Sequence, residues 1–243
     1  MTNKILEQTG DAKVEQFEAI ITRAAERKGG EAALASLIYQ PLPDSELVHL
    51  TSDRVLAQMT KSVFQSGFVW RVVEAKWPSF EEHFFNFEVN KILMMPDEML
   101  ERKATDPKII RNLKKVVTIR DNAQLISDLE REHGPIGEFI ANWPITDIIG
   151  LCDLFKRRGS RLGGFTGYNI LRALGKDTFR LSSDVEAYMR SRGVVTGGLQ
   201  SKTSLKAVQN QFNEWHKQCG LSLTEMSLIL AYSVGDNRVG FSQ

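Results

Sequence analysis

Residues 155–184 read FKRRGSRLGGFTGYNILRALGKDTFRLSSD: a basic helix end, a glycine-rich turn, a short apolar helix and then acidic residues. Adjacent Gly163 and Gly164 permit a tight turn whose backbone N–H groups point outward, and the helix that follows starts there with its positive dipole end. Such a place can hold phosphate. A contact of this kind reads the shape and backbone of a nucleic acid rather than its bases, and depends strongly on salt. Lys156, Arg157, Arg158, Arg161 and Arg172 add cationic charge and are expected to face no acid, since none lies between the first and the last of them. A glycine pair between helices is also an ordinary helix–helix turn, so the segment alone supports both readings.

The elements that must position this segment read as all-α, because apolar residues recur at helical spacing and strict alternation over strand length is not found. One helix is expected over Ser52 to Ala75, burying Val55, Leu56, Met59 and Val63 and stopping before Trp77-Pro78, since a residue preceding proline disfavours helix. A second is expected to start at Thr105 or Asp106 with Pro107 in its first turn, turning Ile109, Ile110, Leu113, Val116 and Val117 inward and Lys108, Arg111 and Lys115 outward. A third spans Gly167 to Leu174 and stops at Gly175. Ser222-Leu223-Thr224-Glu225 has capping-box spacing before Met226, Leu228, Ile229 and Leu230. Gly134 to Trp143 and Val194 to Lys202 read as loops. The first 30 or so residues read as a charged, amphipathic leader.

The chain of 243 residues, 42% of them hydrophobic, can bury a substantial core in one domain or two packed lobes. No stretch approaches the roughly 18 consecutive apolar residues of a membrane span, and Met1-Thr2-Asn3-Lys4 does not open a signal peptide. A soluble, intracellular protein without a membrane partner is expected, cytoplasmic and nucleoid-associated if the source is prokaryotic. Cys152 and Cys219 stand apart from each other and from any histidine at ligand spacing, so neither a disulfide framework nor zinc is expected. The net charge of +1 says little, but its distribution says more: Arg102, Lys103, Lys108, Arg111, Lys114, Lys115 and Arg120 face only Asp106, while acids collect at Glu7 to Glu31 and Glu81 to Glu88. A basic face for a polyanion is one reading; a solvated helix surface is the other.

Two stretches carry a resemblance. Leu162, Gly163, Gly164 and Phe165-Thr166-Gly167 resemble the helix-hairpin-helix motif of DNA glycosylases, although the glycines are adjacent where that motif has Gly-x-Gly. Gln65-Ser66-Gly67-Phe68-Val69-Trp70, Val73, Trp77-Pro78-Ser79-Phe80, Phe84, Phe87 and Met94, then Ile109-Ile110-Arg111-Asn112-Leu113-Lys114-Lys115 and Asn122-Ala123, are similar to the 3-methyladenine DNA glycosylase I group. The resemblance implies a single glycosylase domain over residues 1–243, built of two helical lobes, with a hairpin lobe over about 90–185 and the other lobe from the terminal helices. It implies that Gly163, Gly164, Thr166, Arg161, Lys156 and Arg157 grip the phosphates of double-stranded DNA, and that Trp70 stacks on an extruded, damaged base. Phe68, Phe64, Trp143 and Tyr168 are candidate neighbours; Phe64 also reads as core.

Cleaving an N-glycosidic bond develops positive charge on the sugar, which a carboxylate stabilises, or relieves by activating water. The superfamily's aspartate after the hairpin falls on Asp184, which could equally cap a helix; Asp177 is the competitor. Lyase relatives carry an amine nucleophile where this chain has Phe165, so a monofunctional enzyme is implied. Three departures accompany the likeness. Ser62 stands where the group has an acidic residue eight positions before its tryptophan, Asp184 has no counterpart in that group, and its zinc cluster is absent, with His49, His83, His133 and His216 unsuitably placed. The expectation is a monomeric glycosylase for an alkylated, 3-methyladenine-like base, without an organic cofactor, whose hairpin can hold a monovalent cation through backbone carbonyls. The alternatives are a non-catalytic module that binds damaged DNA and an all-α interaction protein without DNA affinity.

Overall fold

A computed structural model describes residues 14–235. Among them are fourteen α-helices, and every regular element is helical. In chain order they are α1 (Phe17–Lys28), α2 (Glu31–Leu37), α3 (Asp44–Leu47), α4 (Ser52–Gln65), α5 (Trp70–His83), α6 (Val89–Leu93) and α7 (Asp97–Ala104). There follow α8 (Leu113–His133), α9 (Ile136–Asn142), α10 (Ile148–Arg158), α11 (Thr166–Ala173), α12 (Ser183–Ser191), α13 (Lys202–Cys219) and α14 (Leu223–Ser233). The chain divides into two compact units: a central one of residues 39–180 with 222–224, and a terminal one that includes residues 14–38, 181–221 and 225–235. No described helix is long and apolar enough to cross a membrane.

In the central unit α8 is the axis, with α4, α6, α7 and α9 packed on it. Its buried residues Val116, Ile119, Ala123, Ile126 and Leu129 recur every three or four positions. The expected start at Thr105 or Asp106 is corrected. The helix begins at Leu113, where the Asn112 side chain accepts from Lys115 N at 3.1 Å. Asp106 instead closes a turn, taking Lys108 N at 2.8 Å and His83 Nε2 at 2.9 Å. Lys115 is also corrected, since it points inward and is buried.

The expected helix over Ser52 to Ala75 is two helices, broken at residues 66–69, and α5 runs through Pro78. Proline gives up one helical hydrogen bond, yet Trp77 stacks on Phe80 at 5.5 Å and Phe87 at 5.4 Å, and Phe80 meets Phe64 edge-on at 4.7 Å. That aromatic core outweighs the missing bond. Phe85, Asn86 and Phe87 all take left-handed φ (54°, 52° and 61°), a strain of roughly 1–2 kcal/mol each that seats Phe87 in the same core. Residues 136–142, expected in a loop, form α9: Pro135 precedes the first turn, and Gly137 is the close approach, where a Cβ would lie 2.6 Å from the Leu50 carbonyl.

The terminal unit is tied by Glu15. Its carboxylate accepts from Arg23 at 2.7 and 3.1 Å, from the Tyr188 hydroxyl at 2.9 Å and from Arg192 at 3.2 Å, while its carbonyl takes Trp215 Nε1 at 3.2 Å. The Arg23 bond, with the Tyr188 bond and both guanidinium charges, holds the carboxyl below the usual carboxylate range, and burial and Glu15 push the Tyr188 phenol up to about 12. A depressed carboxylate stabilises the fold above its unfolded pKa of about 4.3, and that contribution disappears as pH falls through the lower folded value. Glu15→Gln is expected to cost about 1.5–3 kcal/mol at pH 7. Thermal melts should show that gap closing as pH falls below the unfolded value of about 4.3; a gap constant with pH would refute the ionic origin.

Candidate functional site

The break between α4 and α5 is made by Lys115. Its Nζ donates to the Val63 carbonyl and to Ser66 Oγ (3.3 Å), and lies 5.8 and 5.5 Å from the ring centroids of Phe64 and Phe68. Helix ends leave carbonyls without intrahelical donors, and the amine with the Ser66 hydroxyl (2.7 Å from Val63 O) supplies them. A Cβ on Gly67 would sit 3.1 Å from Nζ, so a larger residue there would have to displace the amine by a few tenths of an ångström. Lys115 is 7% exposed, and burial, then the charge of Arg161, pushes its pKa down. The turn delivers Trp70 as the first residue of α5, with 53% of its surface exposed.

Beside Trp70 opens a cavity of about 340 Å³, the size of a small-ligand pocket. Buried Ser62 lines it, its Oγ accepting from Gln58 Nε2 at 3.0 Å. Lys61 and Glu74 face it as an ion pair at 2.7 Å, and Gln65 donates to the same carboxylate at 3.2 Å. On the far wall Arg172 donates to the Tyr39 hydroxyl at 3.2 Å and the Thr178 carbonyl at 2.6 Å, its guanidinium 5.7 Å from the Tyr39 ring centroid. Burial pushes the Arg172 pKa down. Tyr39, Gln58, Lys61, Glu74 and Arg172 were not singled out for a pocket by sequence reasoning. A signal existed for two of them, Gln58 and Lys61, which with Ser62 and Gln65 form a polar stripe on α4 beside the buried Val55, Met59 and Val63.

Of the expected pocket residues, the structure brings Trp70 and Ser62 together. Phe68 lies half-buried against Phe64, 6.3 Å between centroids. Tyr168 is core, 2% exposed, 5.5 Å from Phe179, its phenol pushed up by burial. Trp143 lines a separate cavity of about 240 Å³ with Phe139, its Nε1 bonded to the Asp147 carbonyl at 2.8 Å. A larger cavity of about 680 Å³ is bordered by Asp53, Glu88 and Glu130, a lining that opposes a polyanion.

Helices α10 and α11 pack across the turn 159–165. A Cβ on Gly167 would touch Cys152 Sγ at 3.3 Å and the Leu162 carbonyl at 3.4 Å, so glycine sets how closely they cross. Gly164 takes φ +63° in open space and Arg161 the same left-handed region at 59°. Asn122 of α8 clamps the turn, donating to the Ser160 carbonyl at 3.1 Å and accepting from Ser160 N at 2.8 Å. Lys156, Arg157, Arg161 and Gly164 are exposed and Thr166 is buried. The expectation that no acid faces the basic run is corrected, because Arg157 pairs with Asp153 at 2.8 Å and Arg158 with Glu132 at 2.6 Å. Arg120 in the other run pairs with Asp97. None of these three partners lies inside the basic stretch it answers, and so neighbours in sequence did not reveal them.

In the terminal unit Asp184 sits half-buried in the first turn of α12. The helix is capped by Ser182, whose Oγ accepts from Val185 N at 3.3 Å, so Asp184 is not the N-cap. Its carboxylate lies against the backbone of Gly235, where a Cβ would come within 2.5 Å of Oδ1. Asp177, the competitor, uses both oxygens on the start of α14, accepting from Leu223 N at 3.1 Å and Thr224 N at 2.8 Å. Among the described residues no three His, Cys, Asp or Glu side chains group as metal ligands.

Against this geometry, the family model of methyladenine glycosylase matches residues 47–203, which is more than half of the chain. The chain belongs to the methyladenine glycosylase family. It is therefore a DNA glycosylase by family. Among solved structures, the Methanocaldococcus jannaschii 8-oxoguanine glycosylase/lyase in complex with DNA is similar with a TM-score of 0.53 at 14% identity, over 88% of this chain and 96% of that one. The 3-methyladenine DNA glycosylase I of Staphylococcus aureus gives 0.47 at 20% identity over 64% and 91%; another 3-methyladenine DNA glycosylase I gives 0.47 at 22% over 51% and 79%. A search of curated proteins returns no match. The first likeness shows that the glycosylase has a helical glycosylase fold.

Proposed function

We propose that this glycosylase, acting as a monomer, hydrolyses the N-glycosidic bond of a damaged, alkylated base in double-stranded DNA and leaves the strand uncut. The observation that carries the reading is the Trp70 cavity: an aromatic face at the head of a helix, over a polar floor, in a chain of this family. A flipped base needs such a place. The exposed turn at Gly164, with Lys156 and Arg161 beside it, serves as the phosphate grip of a helix-hairpin-helix, and Asp184 serves as the carboxylate that answers positive charge on the sugar. No organic cofactor is required for this hydrolysis, and the turn carbonyls are suited to a monovalent cation.

Base stacking is worth about 1–3 kcal/mol, so Trp70→Ala is expected to lower single-turnover base release from alkylated duplex by about 5- to 150-fold with the melting temperature nearly unchanged. Phe165 offers no amine, so borohydride should trap no covalent complex and abasic sites should appear only as alkali-labile breaks. DNA binding without any base release from methylated or other alkylated duplexes would instead establish a recognition module, the reading that Ser62 favours by placing a hydroxyl on the cavity floor where the resembled group has a carboxylate.

A further inference from the structure

The charge pattern of the Trp70 cavity bears on which base it accepts. Among its lining residues Glu74 is the carboxylate, and Lys61 holds it at 2.7 Å. Arg172 and Arg180 also line the cavity, and guanidinium groups stay charged in proteins, so the lining is net positive. The floor is neutral: Gln58 spends an amide hydrogen on Ser62 Oγ, which leaves a hydroxyl hydrogen and an amide oxygen for a ligand. Arg172 is fixed by Tyr39 and Thr178, with its guanidinium 5.7 Å from the Tyr39 ring centroid, so the Tyr39 ring on the cavity wall already has a cation against it and offers no attraction to a cationic base. Like charge in a partly desolvated site is repulsive.

We propose that this cavity selects an uncharged alkylated purine with ring-nitrogen acceptors, such as a cyclic etheno adduct, over the N-methylated purines whose rings are cationic in DNA. Arg172 is the specificity-determining residue, repelling the cation and donating to the neutral ring, and Ser62 keeps the floor free of negative charge. This rests on the glycosylase reading and narrows its substrate.

The test uses the full chain and duplexes of one sequence carrying 1,N6-ethenoadenine or 7-methylguanine at the same position, with single-turnover release divided by the uncatalysed rate for each base. Wild type should favour the etheno base by about tenfold or more, and Arg172→Gln should shrink the preference by about tenfold. Ser62→Glu, which adds a carboxylate without touching Arg172, should move it in the same direction and keeps the test valid if Arg172→Gln fails to fold. Equal or greater enhancement on 7-methylguanine by wild type overturns the inference while leaving the glycosylase reading intact. A preference unmoved in every variant that folds also overturns it. Release of neither base, nor of 3-methyladenine from methylated DNA, fells both.

Discussion

Asp184→Asn is expected to lower single-turnover base release by about 10²- to 10⁴-fold, the range over which a positioned acid–base or charge-stabilising group acts, while duplex binding and melting temperature barely move. The substitution keeps size and hydrogen-bonding shape and removes only charge. Ser182 supplies the cap of α12, so the cap survives the substitution, and loss of the Asp184 charge from the first turn removes a dipole term of about 0.3–1 kcal/mol. A purely structural Asp184 would show that small loss and full activity. Asp177→Asn separates the two carboxylates in the opposite sense. Its oxygens hold the Leu223 and Thr224 amides, so the change should cost stability and leave the rate per folded molecule close to wild type. Equal release by wild type and Asp184→Asn would remove Asp184 from the chemistry.

The contrast between these aspartates shows where sequence reasoning reaches and where it stops. Two carboxylates follow the glycine turn, and nothing in their spacing says that one is spent on the amides of a helix 46 positions later in the chain. The all-α class was legible because helical periodicity is a local property, and α11 with its Gly175 stop followed from it. Helix limits failed where distant groups decide them. Residues 66–69 break because Lys115 sits there; α5 survives Pro78 because Trp77 stacks on Phe80 and Phe87. Gly137 read as a breaker, yet it lets α9 cross the carbonyls that end α3. Of the cavity, Trp70 and Ser62 were legible and the α4 stripe could have been. Tyr39 and Arg172 meet across 133 residues, which no local pattern announces.

The same long-range logic gives Lys115 an effect that separates stability from function. Lys115→Ala removes a buried stem worth roughly 0.8 kcal/mol per methylene together with the amine bonds to Val63 and Ser66. A loss of about 2–3 kcal/mol is expected, lowering the melting temperature by about 4–10 °C for a domain of this size. Lys115→Met restores the stem and relieves the burial of a cation, so most of that stability should return. Base release should not return with it, because the 66–69 turn that aims Trp70 has lost its clamp, and weaker stacking should raise KM and lower kcat together. The pH dependence has a fixed sign. Burial holds the Lys115 pKa below its unfolded value of about 10.4, so between the two values the unfolded chain binds more protons and wild-type stability rises with pH. Melts of wild type against Lys115→Met across the alkaline range should show their difference growing in favour of wild type until that limit. A constant difference, or full base release by Lys115→Met, would mean that the ammonium neither feels its burial nor positions Trp70.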